Sequence, residues 1–362
     1  MIPVTKSYLP PLEEYIEYLK KIWEANQLTN NGPLVQELEQ KLKDYLGVKH
    51  LFFVSNGTIA EQIAIKALDL HGEVITTPFS YVATTSSIVW EGCQPVFVDI
   101  DPKTLCIDPD LIEAAITPHT SAIVATHVYG IPCAVEKIQA IAQKHNLKVI
   151  YDAAHTFGVK YHGRSLVSYG DISTLSFHAT KIFHTVEGGA IITDNDALAH
   201  RISYMRNFGH KNQEEFWGLG INGKNSEFHA AMGLCNLPHV DEIIAARKKV
   251  SGWYDELLAY SGLTWPVIPS GTKYNYSYYP VLFSTEEELV RIKDTMNADQ
   301  IFPRRYFYPS LNQVPYLQGS FSHVSEKISR RVLCLPMYTD LPKSVVEQIT
   351  SIITTNLSEE RK

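Results

Sequence analysis

Lys181 is the residue of this 362-residue chain whose surroundings point most directly to chemistry. It lies in the segment Ser176–Asp194, where a single lysine stands among small, aromatic and aliphatic residues and a Glu-Gly-Gly turn follows. An amine in such surroundings is poorly solvated, so its pKa falls and the neutral, nucleophilic form becomes accessible. A lysine needs that form to make a Schiff base with an aldehyde cofactor. The alternative interpretation is a surface lysine in a loop, which is the usual situation of a lysine.

Asp152 is a second candidate for the same chemistry. It ends Leu147–Tyr151, a strand-like run, and precedes Ala153-Ala154-His155. In an open α/β sheet, ligands bind at the carboxyl ends of the strands. An aspartate there can keep the ring nitrogen of a cofactor protonated, and a protonated ring withdraws electrons more strongly. The alternative interpretation of Asp152 is a helix cap or a solvated carboxylate.

Residues 50–70 have the pattern of an anion site. His50–Val54 predicts a strand, Ser55-Asn56-Gly57-Thr58 a turn, and Ile59–Leu70 a helix. The N-terminus of a helix placed in this way offers backbone N–H groups and the positive end of the helix dipole to a phosphate. The alternative is an ordinary capped helix, in which Asn56 or Thr58 serves only its own backbone.

The elements that must position these residues alternate between strands and helices. Apolar runs of strand length are Glu73–Thr77, Gln94–Ile100, Ser121–Thr126, Ile172–Phe177 and Ala190–Thr193, with amphipathic stretches between several of them. This alternation predicts an α/β fold with a mostly parallel sheet covered on both faces. The character of the chain changes after Gly262, so we expect a large domain over residues 1–245 and a smaller C-terminal α/β domain over residues 246–362.

The composition of the chain limits the classes of function that it can have. Apolar residues make up 45% and charged residues 20% of the chain, as in a soluble globular enzyme. The net charge of −7 provides no basic field for nucleic acid or an anionic membrane, and no apolar run reaches membrane-spanning length. The five cysteines have no metal-ligand spacing, which predicts reduced, buried thiols and a cytoplasmic protein without a metal. The run Arg247-Lys248-Lys249 is predicted to lie on a solvated helix face.

The segments around Lys181 and Asp152, together with the Ser-Asn-Gly-Thr turn, resemble the DegT/DnrJ/EryC1/StrS family of sugar-nucleotide aminotransferases. The resemblance covers nearly the whole chain. It implies aminotransferase fold type I with a seven-stranded sheet in the large domain, and pyridoxal 5′-phosphate as the cofactor. By the same resemblance Lys181 is the catalytic lysine that binds the cofactor, Asp152 faces the ring nitrogen, and Gly57 and Thr58 hold the phosphate.

The resemblance implies further cofactor contacts. Tyr81 takes the place of an aromatic residue that stacks on the pyridine ring, His155 borders that ring, and Ser176 belongs to the cofactor-binding set. Asn222, in a glycine-rich loop, matches an asparagine that reaches the phosphate of the neighbouring subunit. The resemblance therefore implies a homodimer with shared active sites. One departure is Asn225, where methionine is common in the family, at a position that we expect near the substrate.

Arg304-Arg305-Tyr306-Phe307-Tyr308-Pro309 suggests a nucleotide site. Arginines beside aromatic residues suit a diphosphate and a flat base. The alternative is a strand with alternating core aromatics. Family members that handle thymidine-diphosphate sugars have a similar element, which implies substrate contacts for Arg305, Tyr306 and Tyr308.

The resemblance implies transfer of an amino group from L-glutamate to a nucleotide-linked keto sugar. We expect a dTDP-4-keto-6-deoxyhexose, converted to dTDP-4-amino-4,6-dideoxy-D-glucose for O-antigen or related polysaccharide biosynthesis. A 3-keto sugar acceptor and a non-catalytic, cofactor-holding regulator are the alternatives. Dehydratases of the family have a histidine in place of the lysine, so Lys181 argues against that activity. A cysteine desulfurase would need a mobile catalytic cysteine, and no cysteine has a context that suggests one.

Overall fold

The structure is a computed structural model that describes residues 1–317 and 322–359. The α-helices are α1 (Leu12–Ala25), α2 (Pro33–Leu46), α3 (Gly57–Ala67), α4 (Val82–Trp90), α5 (Pro109–Ile112), α6 (Val135–His145), α7 (Asp196–Met205), α8 (Glu227–Asn236), α9 (Val240–Leu258), α10 (Glu286–Ala298), α11 (His323–Arg331) and α12 (Lys343–Glu359). The strands are β1 (Ile2–Pro3), β2 (His50–Val54), β3 (Glu73–Thr76), β4 (Gln94–Phe97), β5 (Thr120–Thr126), β6 (Lys148–Asp152), β7 (Lys160–Tyr161), β8 (Arg164–Ser165), β9 (Ile172–Ser176), β10 (Gly189–Thr193), β11 (Thr272–Lys273), β12 (Tyr279–Leu282), β13 (Ile301–Phe302) and β14 (Val332–Leu335).

The large sheet has seven strands within the described residues, in the order β2-β10-β9-β6-β5-β3-β4. Strand β10 runs antiparallel to both of its neighbours, and the remaining pairs are parallel. The prediction of an α/β fold with a mostly parallel, seven-stranded sheet is confirmed. Because β6 and β9 are parallel neighbours, Asp152 and Ser176 end adjacent strands at the same edge of the sheet.

Apolar layers cover both faces of this sheet. Alternate residues of β10 divide between them: Ile191 packs with Ile63 of α3 and Ile202 of α7, whereas Ile192 packs with Leu38 of α2. Side chains of successive strand residues point to opposite faces, so a strand that is apolar at every position must be covered on both sides. This explains why the sheet strands read as continuous apolar runs.

The C-terminal part of the chain has its own apolar core. It is formed by α9, α10, α12 and the antiparallel pair β12–β14, with Tyr254, Ile292 and Ile349 fully buried. The N-terminal strand joins this part, because Ile2 of β1 pairs with Ile301 of β13. The predicted division at residues 245 and 246 falls within α9 and stays a prediction.

Helices α8 and α9 are separated at Leu237–His239, where Pro238 cannot continue the backbone hydrogen bonds of α8. One detail of the chain differs from expectation. Arg247 is 3% exposed and not on a solvated face, and it donates to the Ser277 carbonyl oxygen at 3.1 Å. The guanidinium can be buried there because backbone carbonyls of the facing segment accept its hydrogens. Lys248 and Lys249 are exposed, as expected.

All five cysteines are free and buried, which confirms that part of the prediction. Across residues 1–317 and 322–359, none of the helices combines the length and apolar character that crossing a bilayer requires. The same residues contain no cluster of three or more His, Cys, Asp or Glu side chains suited to a metal ion.

Candidate active site

A cavity of about 260 Å³, open to solvent, lies at the carboxyl edge of the large sheet. It is bounded by the turn before α3, by the start of α4, by the ends of β6 and β9, and by the segment 304–307 from the C-terminal part. The lining residues include Asn56, Gly57, Thr58, Glu61, Tyr81, Asp152, His155, Ser176, His178, Lys181, Glu187, Tyr278, Arg304, Tyr306 and Phe307. Most of the residues predicted from the sequence therefore share one cavity.

The Lys181 loop, residues 177–188, connects the neighbouring antiparallel strands β9 and β10 and is fixed at both ends. Phe177 N–H donates to the Gly188 carbonyl at 2.8 Å, and Thr185 N–H donates to the Phe177 carbonyl at 2.9 Å. Phe177 and Phe183 pack edge to face inside the apolar core, with ring centroids 4.9 Å apart. With its aromatic residues buried on one side, the loop presents Lys181 to the cavity.

The pKa of the Lys181 amine is lowered to about 8. Burial is the main cause, and the nearby positive charge of Arg304 acts in the same direction. The negative charge of Asp152 and the Tyr81 hydroxyl oppose the shift. The predicted surroundings of Lys181 are thus found in the structure, and a substantial fraction of its amine is neutral near physiological pH.

Asp152 is 6% exposed and is held by hydrogen-bond donors from three elements. Its Oδ2 accepts from the Thr84 hydroxyl at 2.7 Å and from the Thr126 hydroxyl at 3.4 Å. Its Oδ1 accepts from the Ala154 N–H at 3.0 Å. These three hydroxyl and amide contacts stabilise a carboxylate in a buried place. The low exposure of Asp152 excludes the alternative of a solvated carboxylate.

The turn before α3 has the features of an anion site. The Asn56 side chain caps the helix by accepting from the Ile59 N–H at 2.9 Å. Among the described residues, the N–H groups of Gly57 and Thr58 have no hydrogen-bond acceptor. A Cβ added to Gly57 would lie 3.1 Å from Ser176 Cβ, so glycine lets the strand end approach the turn. Two free N–H groups and the Ser176 hydroxyl therefore surround a space that a phosphate can occupy.

His155 presents a neutral imidazole to the cavity. Its Nδ1 accepts from the Tyr129 N–H at 3.1 Å, which places the ring hydrogen on Nε2. Burial lowers the pKa of His155 well below its usual value, and the charge of Lys181 contributes. The ring stacks parallel to Phe307 with centroids 5.9 Å apart. Tyr81, by contrast, is 53% exposed at the residue preceding α4 and lies at the edge of the cavity.

The segment that begins at Arg304 is only partly directed into the cavity. Arg304 and Tyr306 line the cavity, whereas Arg305 and Tyr308 do not. The Arg305 guanidinium pairs with Glu286 at 2.6 Å and lies over the Tyr308 ring, outside the cavity. The chain is extended here, with Arg304 bridged to Cys334, so neighbouring side chains point in opposite directions. Arg304 and not Arg305 therefore faces the cavity, and substrate contacts of Arg305 and Tyr308 stay a prediction.

Asn222 does not line the cavity of its own chain. It bridges to Asn207 in a loop that exposes several large apolar side chains: Phe208, Phe216, Trp217, Leu219 and Ile221. Asn225 was expected near the substrate, but it is 9% exposed and donates to the Val54 and Glu187 carbonyls. Its side-chain amide is thus engaged by backbone, and its place relative to the substrate stays a prediction.

Sequence reasoning did not single out Glu61 and Arg304, which line the cavity, or Thr84, which donates to Asp152. Glu61 had a detectable signal, because it lies four residues after Gly57 and three before Ala64, on one face of α3. A charged residue at a position that periodicity assigns to the buried face is unusual. Thr84 had no comparable signal, since its contact with Asp152 depends on how α4 packs against β6.

The comparisons with known proteins agree with this geometry. The model of the DegT/DnrJ/EryC1/StrS aminotransferase family matches residues 12–354. A dTDP-4-amino-4,6-dideoxy-D-glucose transaminase of Shigella dysenteriae is 48% identical, with 97% of each chain covered. A protein of the same name from Escherichia coli is 42% identical over 97% of this chain and 98% of its own.

Among solved structures, DesI in the presence of its TDP-sugar product superposes with a TM-score of 0.94. The sequences are 33% identical, and 99% of this chain and 94% of that chain are covered. The superposition confirms the predicted aminotransferase fold class, and the match of the family model extends through the cavity residues on both sides of Lys181. The chain therefore belongs to the DegT/DnrJ/EryC1/StrS aminotransferase family.

Proposed function

We propose that this protein is a pyridoxal-phosphate-dependent aminotransferase that moves an amino group from L-glutamate to a dTDP-4-keto-6-deoxyhexose. The product would be dTDP-4-amino-4,6-dideoxy-D-glucose, for O-antigen or related polysaccharide biosynthesis. The observation that carries the proposal is that Lys181, Asp152 and the free N–H groups of Gly57 and Thr58 face one cavity. The names of the two relatives and the TDP-sugar product in the solved structure support this choice of sugar.

The residues of the cavity fit the cofactor. The N–H groups of Gly57 and Thr58 would bind the phosphate, because no acceptor among the described residues takes their hydrogens. The Ser176 hydroxyl also lines the cavity and would bind the phosphate, because it can rotate toward it. Asp152 would hold the ring nitrogen protonated, and Tyr81 and His155 would contact the ring. When bound, pyridoxal phosphate supplies an electron sink and a temporary acceptor for the amino group.

Lys181 would move the protons of the reaction. With a pKa of about 8, its amine is neutral often enough to take a proton from Cα of the amino donor and basic enough to hold it. In the second half of the reaction the same Nζ would deliver a proton to the sugar carbon that receives nitrogen.

Arg304 would bind the anionic part of a substrate. It reaches the cavity, lies over the Tyr306 ring at 4.5 Å, and has no ion pair with any carboxylate of the described residues. Both proposed substrates are anionic, one through carboxylates and the other through a diphosphate. An arginine that is free of a protein carboxylate can form paired hydrogen bonds with either group.

The smallest working unit would be a homodimer. Asn222 lies outside the cavity of its own chain, and its loop exposes Trp217 at 53% and Leu219 at 69%. Large apolar side chains clustered on a surface loop favour burial against a partner. A two-fold interface would place each loop against the other subunit's phosphate site, since a symmetric contact occurs twice.

The test has two independent parts. Borohydride reduction of the purified protein followed by peptide mapping should place a pyridoxyl group on Lys181, and a Lys181→Ala protein should carry none. Incubation with L-glutamate and separate 4-keto and 3-keto nucleotide sugars, with products identified by mass and NMR, should give the 4-amino sugar. A label on another lysine would refute the role of Lys181, and amination of only the 3-keto sugar would refute the proposed acceptor.

A further inference from the structure

The Lys181 loop brings a second pair of polar side chains to the cavity. His178 precedes Lys181 and Glu187 follows it, and both line the cavity. Both side chains are about half exposed, so a molecule in the cavity can reach them. The proposed reaction gives neither residue a task. A histidine and a carboxylate that face a cavity together are suited to bind a polar group of a substrate.

Hydrogen bonds within the loop determine which nitrogen of His178 faces Glu187. The Thr180 N–H donates to His178 Nδ1 at 3.2 Å, and the Thr180 hydroxyl lies 2.8 Å from the same nitrogen. Because Nδ1 accepts, the ring hydrogen is on Nε2. His178 Nε2 lies 3.7 Å from Glu187 Oε1, beyond the roughly 2.7–3.2 Å of an N–H···O hydrogen bond. A donor and an acceptor therefore lie side by side without satisfying each other.

The backbone that presents Glu187 is strained and firmly held. Val186, the residue before it, has a φ of 68°, a left-handed conformation that a β-branched residue rarely adopts. The Val186 N–H donates to His184 Nδ1 at 3.2 Å. The Glu187 carbonyl accepts from the Asn225 side-chain amide at 3.0 Å. Strained backbone that its neighbours hold in this way is concentrated at functional sites, so we infer that the orientation of Glu187 serves the cavity.

A hydroxyl group matches the pair, because one oxygen can accept from His178 Nε2 and donate to Glu187. L-glutamate has no such group, since its carboxylates only accept and its ammonium only donates. A 4-keto-6-deoxyhexose linked through C1 has hydroxyls on C2 and C3. The pair shares a loop with Lys181, which must reach the keto carbon C4. Of the two ring carbons next to C4, only C3 carries a hydroxyl.

We propose that His178 and Glu187 bind the C3 hydroxyl of the keto sugar and thereby select the amino acceptor. This inference rests on the proposed function, because it takes the 4-keto sugar as a substrate. A sugar without that hydroxyl would leave the ring N–H and the carboxylate without their partner in the complex. Sites that are built to hydrogen-bond a substrate hydroxyl discriminate against analogues that lack it.

Separate half-reactions of the holoenzyme test the donor. Pyridoxal phosphate absorbs differently in its aldehyde and amine forms, so absorbance follows the glutamate step and the sugar step in turn. In His178→Phe the rate constant of the sugar step should fall about 10- to 100-fold relative to that of the glutamate step, the scale of one or two lost hydrogen bonds. His178→Gln keeps a side-chain N–H and should recover part of the loss. His145→Phe is the matched control and should keep the wild-type ratio, since His145 pairs with Glu113 outside the cavity.

Glu187 tests the acceptor side independently. Glu187→Leu removes the acceptor and should lower the sugar step by a similar factor, whereas Glu187→Gln keeps a carbonyl oxygen and should lose less. If one of the two positions does not tolerate its apolar substitution, the other still tests the pair. Equal loss in both half-reactions, or a sugar step that neither apolar variant slows, would overturn the inference.

A substrate analogue identifies the hydroxyl. A dTDP-4-keto-3,6-dideoxyhexose lacks only the C3 hydroxyl, so wild type should use it about 10- to 100-fold less well, and His178→Phe should show little further loss. The two changes should not add, because both remove the same contact. Losses that multiply, or equal use of both sugars by the wild type, would contradict the binding of this hydroxyl. If L-glutamate causes no absorbance change in the wild type, the proposed function itself is refuted, and this inference with it.

Discussion

At the scale of single residues, the site separates a proton acceptor from a fixed charge. Lys181 loses its charge readily because it is enclosed and lies near Arg304. The oxygens of Asp152 accept hydrogen bonds from hydroxyl and amide donors, which suit a carboxylate. Two oppositely charged side chains of one cavity thus have different tasks, which follow from burial and hydrogen bonding and not from residue type alone.

The role of Asp152 is tested by Asp152→Asn. The amide keeps the shape of the side chain and its contact with Thr84, but it lacks the charge that would hold a ring nitrogen protonated. We expect turnover to fall by roughly two to four orders of magnitude, because carbanion stabilisation would be lost. Cofactor content, measured by absorbance, should change much less. Near-normal turnover of this variant would show that another group serves the ring nitrogen.

The pKa of Lys181 predicts how cofactor uptake depends on pH. Because that pKa is lowered to about 8, the neutral amine increases as pH rises, and the rate of uptake by the apoprotein should level off above about pH 8. Arg304 lowers the pKa, so Arg304→Gln should move the plateau to higher pH. Arg305→Gln is the matched control, since Arg305 pairs with Glu286 outside the cavity. Equal shifts in both variants would contradict a specific effect of Arg304.

At the scale of elements, the start of α3 depends on the close approach of β9. A methyl group at residue 57 would lie 3.1 Å from Ser176 Cβ and 3.5 Å from its hydroxyl oxygen. This contact is tighter than most, so Ser176 would have to shift to admit the methyl group. The proposed phosphate site is therefore formed by the N-terminus of α3 together with the end of β9.

Gly57→Ala should weaken cofactor binding by about 10-fold while leaving the fold intact, because a displaced Ser176 loses roughly one hydrogen bond to the phosphate. Equilibrium titration of the apoprotein measures this affinity. Gly252→Ala is the control: residue 252 lies in α9 with nothing within 4 Å of an added Cβ. That change should raise the free energy of unfolding by about 0.5–1 kcal/mol without altering affinity. Unchanged affinity in Gly57→Ala would argue against the phosphate site.

The local sequence pattern was sufficient to predict the elements that position the site residues. The apolar runs of β5, β6 and β9, the turn at Gly57 and the segment of Lys181 are all readable from neighbouring residues. The sequence did not show that Arg304 and not Arg305 faces the cavity, because the direction of a side chain in an extended segment depends on its partner strand, here through Cys334. Arg247 was expected to be solvated, since the carbonyls that accept its hydrogens come from a distant segment. Contacts between remote segments are what local pattern does not contain.

At the scale of the whole molecule, the dimer predicts complementation between two impaired proteins. If each Asn222 serves the other subunit, a mixed dimer of Lys181→Ala and Asn222→Ala chains has one site with both defects and one with neither. Co-refolding should restore up to about a quarter of wild-type activity, from roughly half mixed dimers with one intact site each. If the activity is no higher than the average of the separate variants, the loop serves the active site of its own subunit, and the shared site is contradicted. Each variant refolded alone is the control.

The attachment of the Lys181 loop at both ends has a consequence for how the chain can change in length. Phe177 and Gly188 are joined by a backbone hydrogen bond, and Gly189 lies against Asn56, so an added residue between them would displace both Lys181 and the turn before α3. The hairpin between β7 and β8 is different, because a Cβ at Gly163 meets nothing within 4 Å. We therefore expect natural or engineered variants of this chain to tolerate insertions at the hairpin and not within residues 177–188.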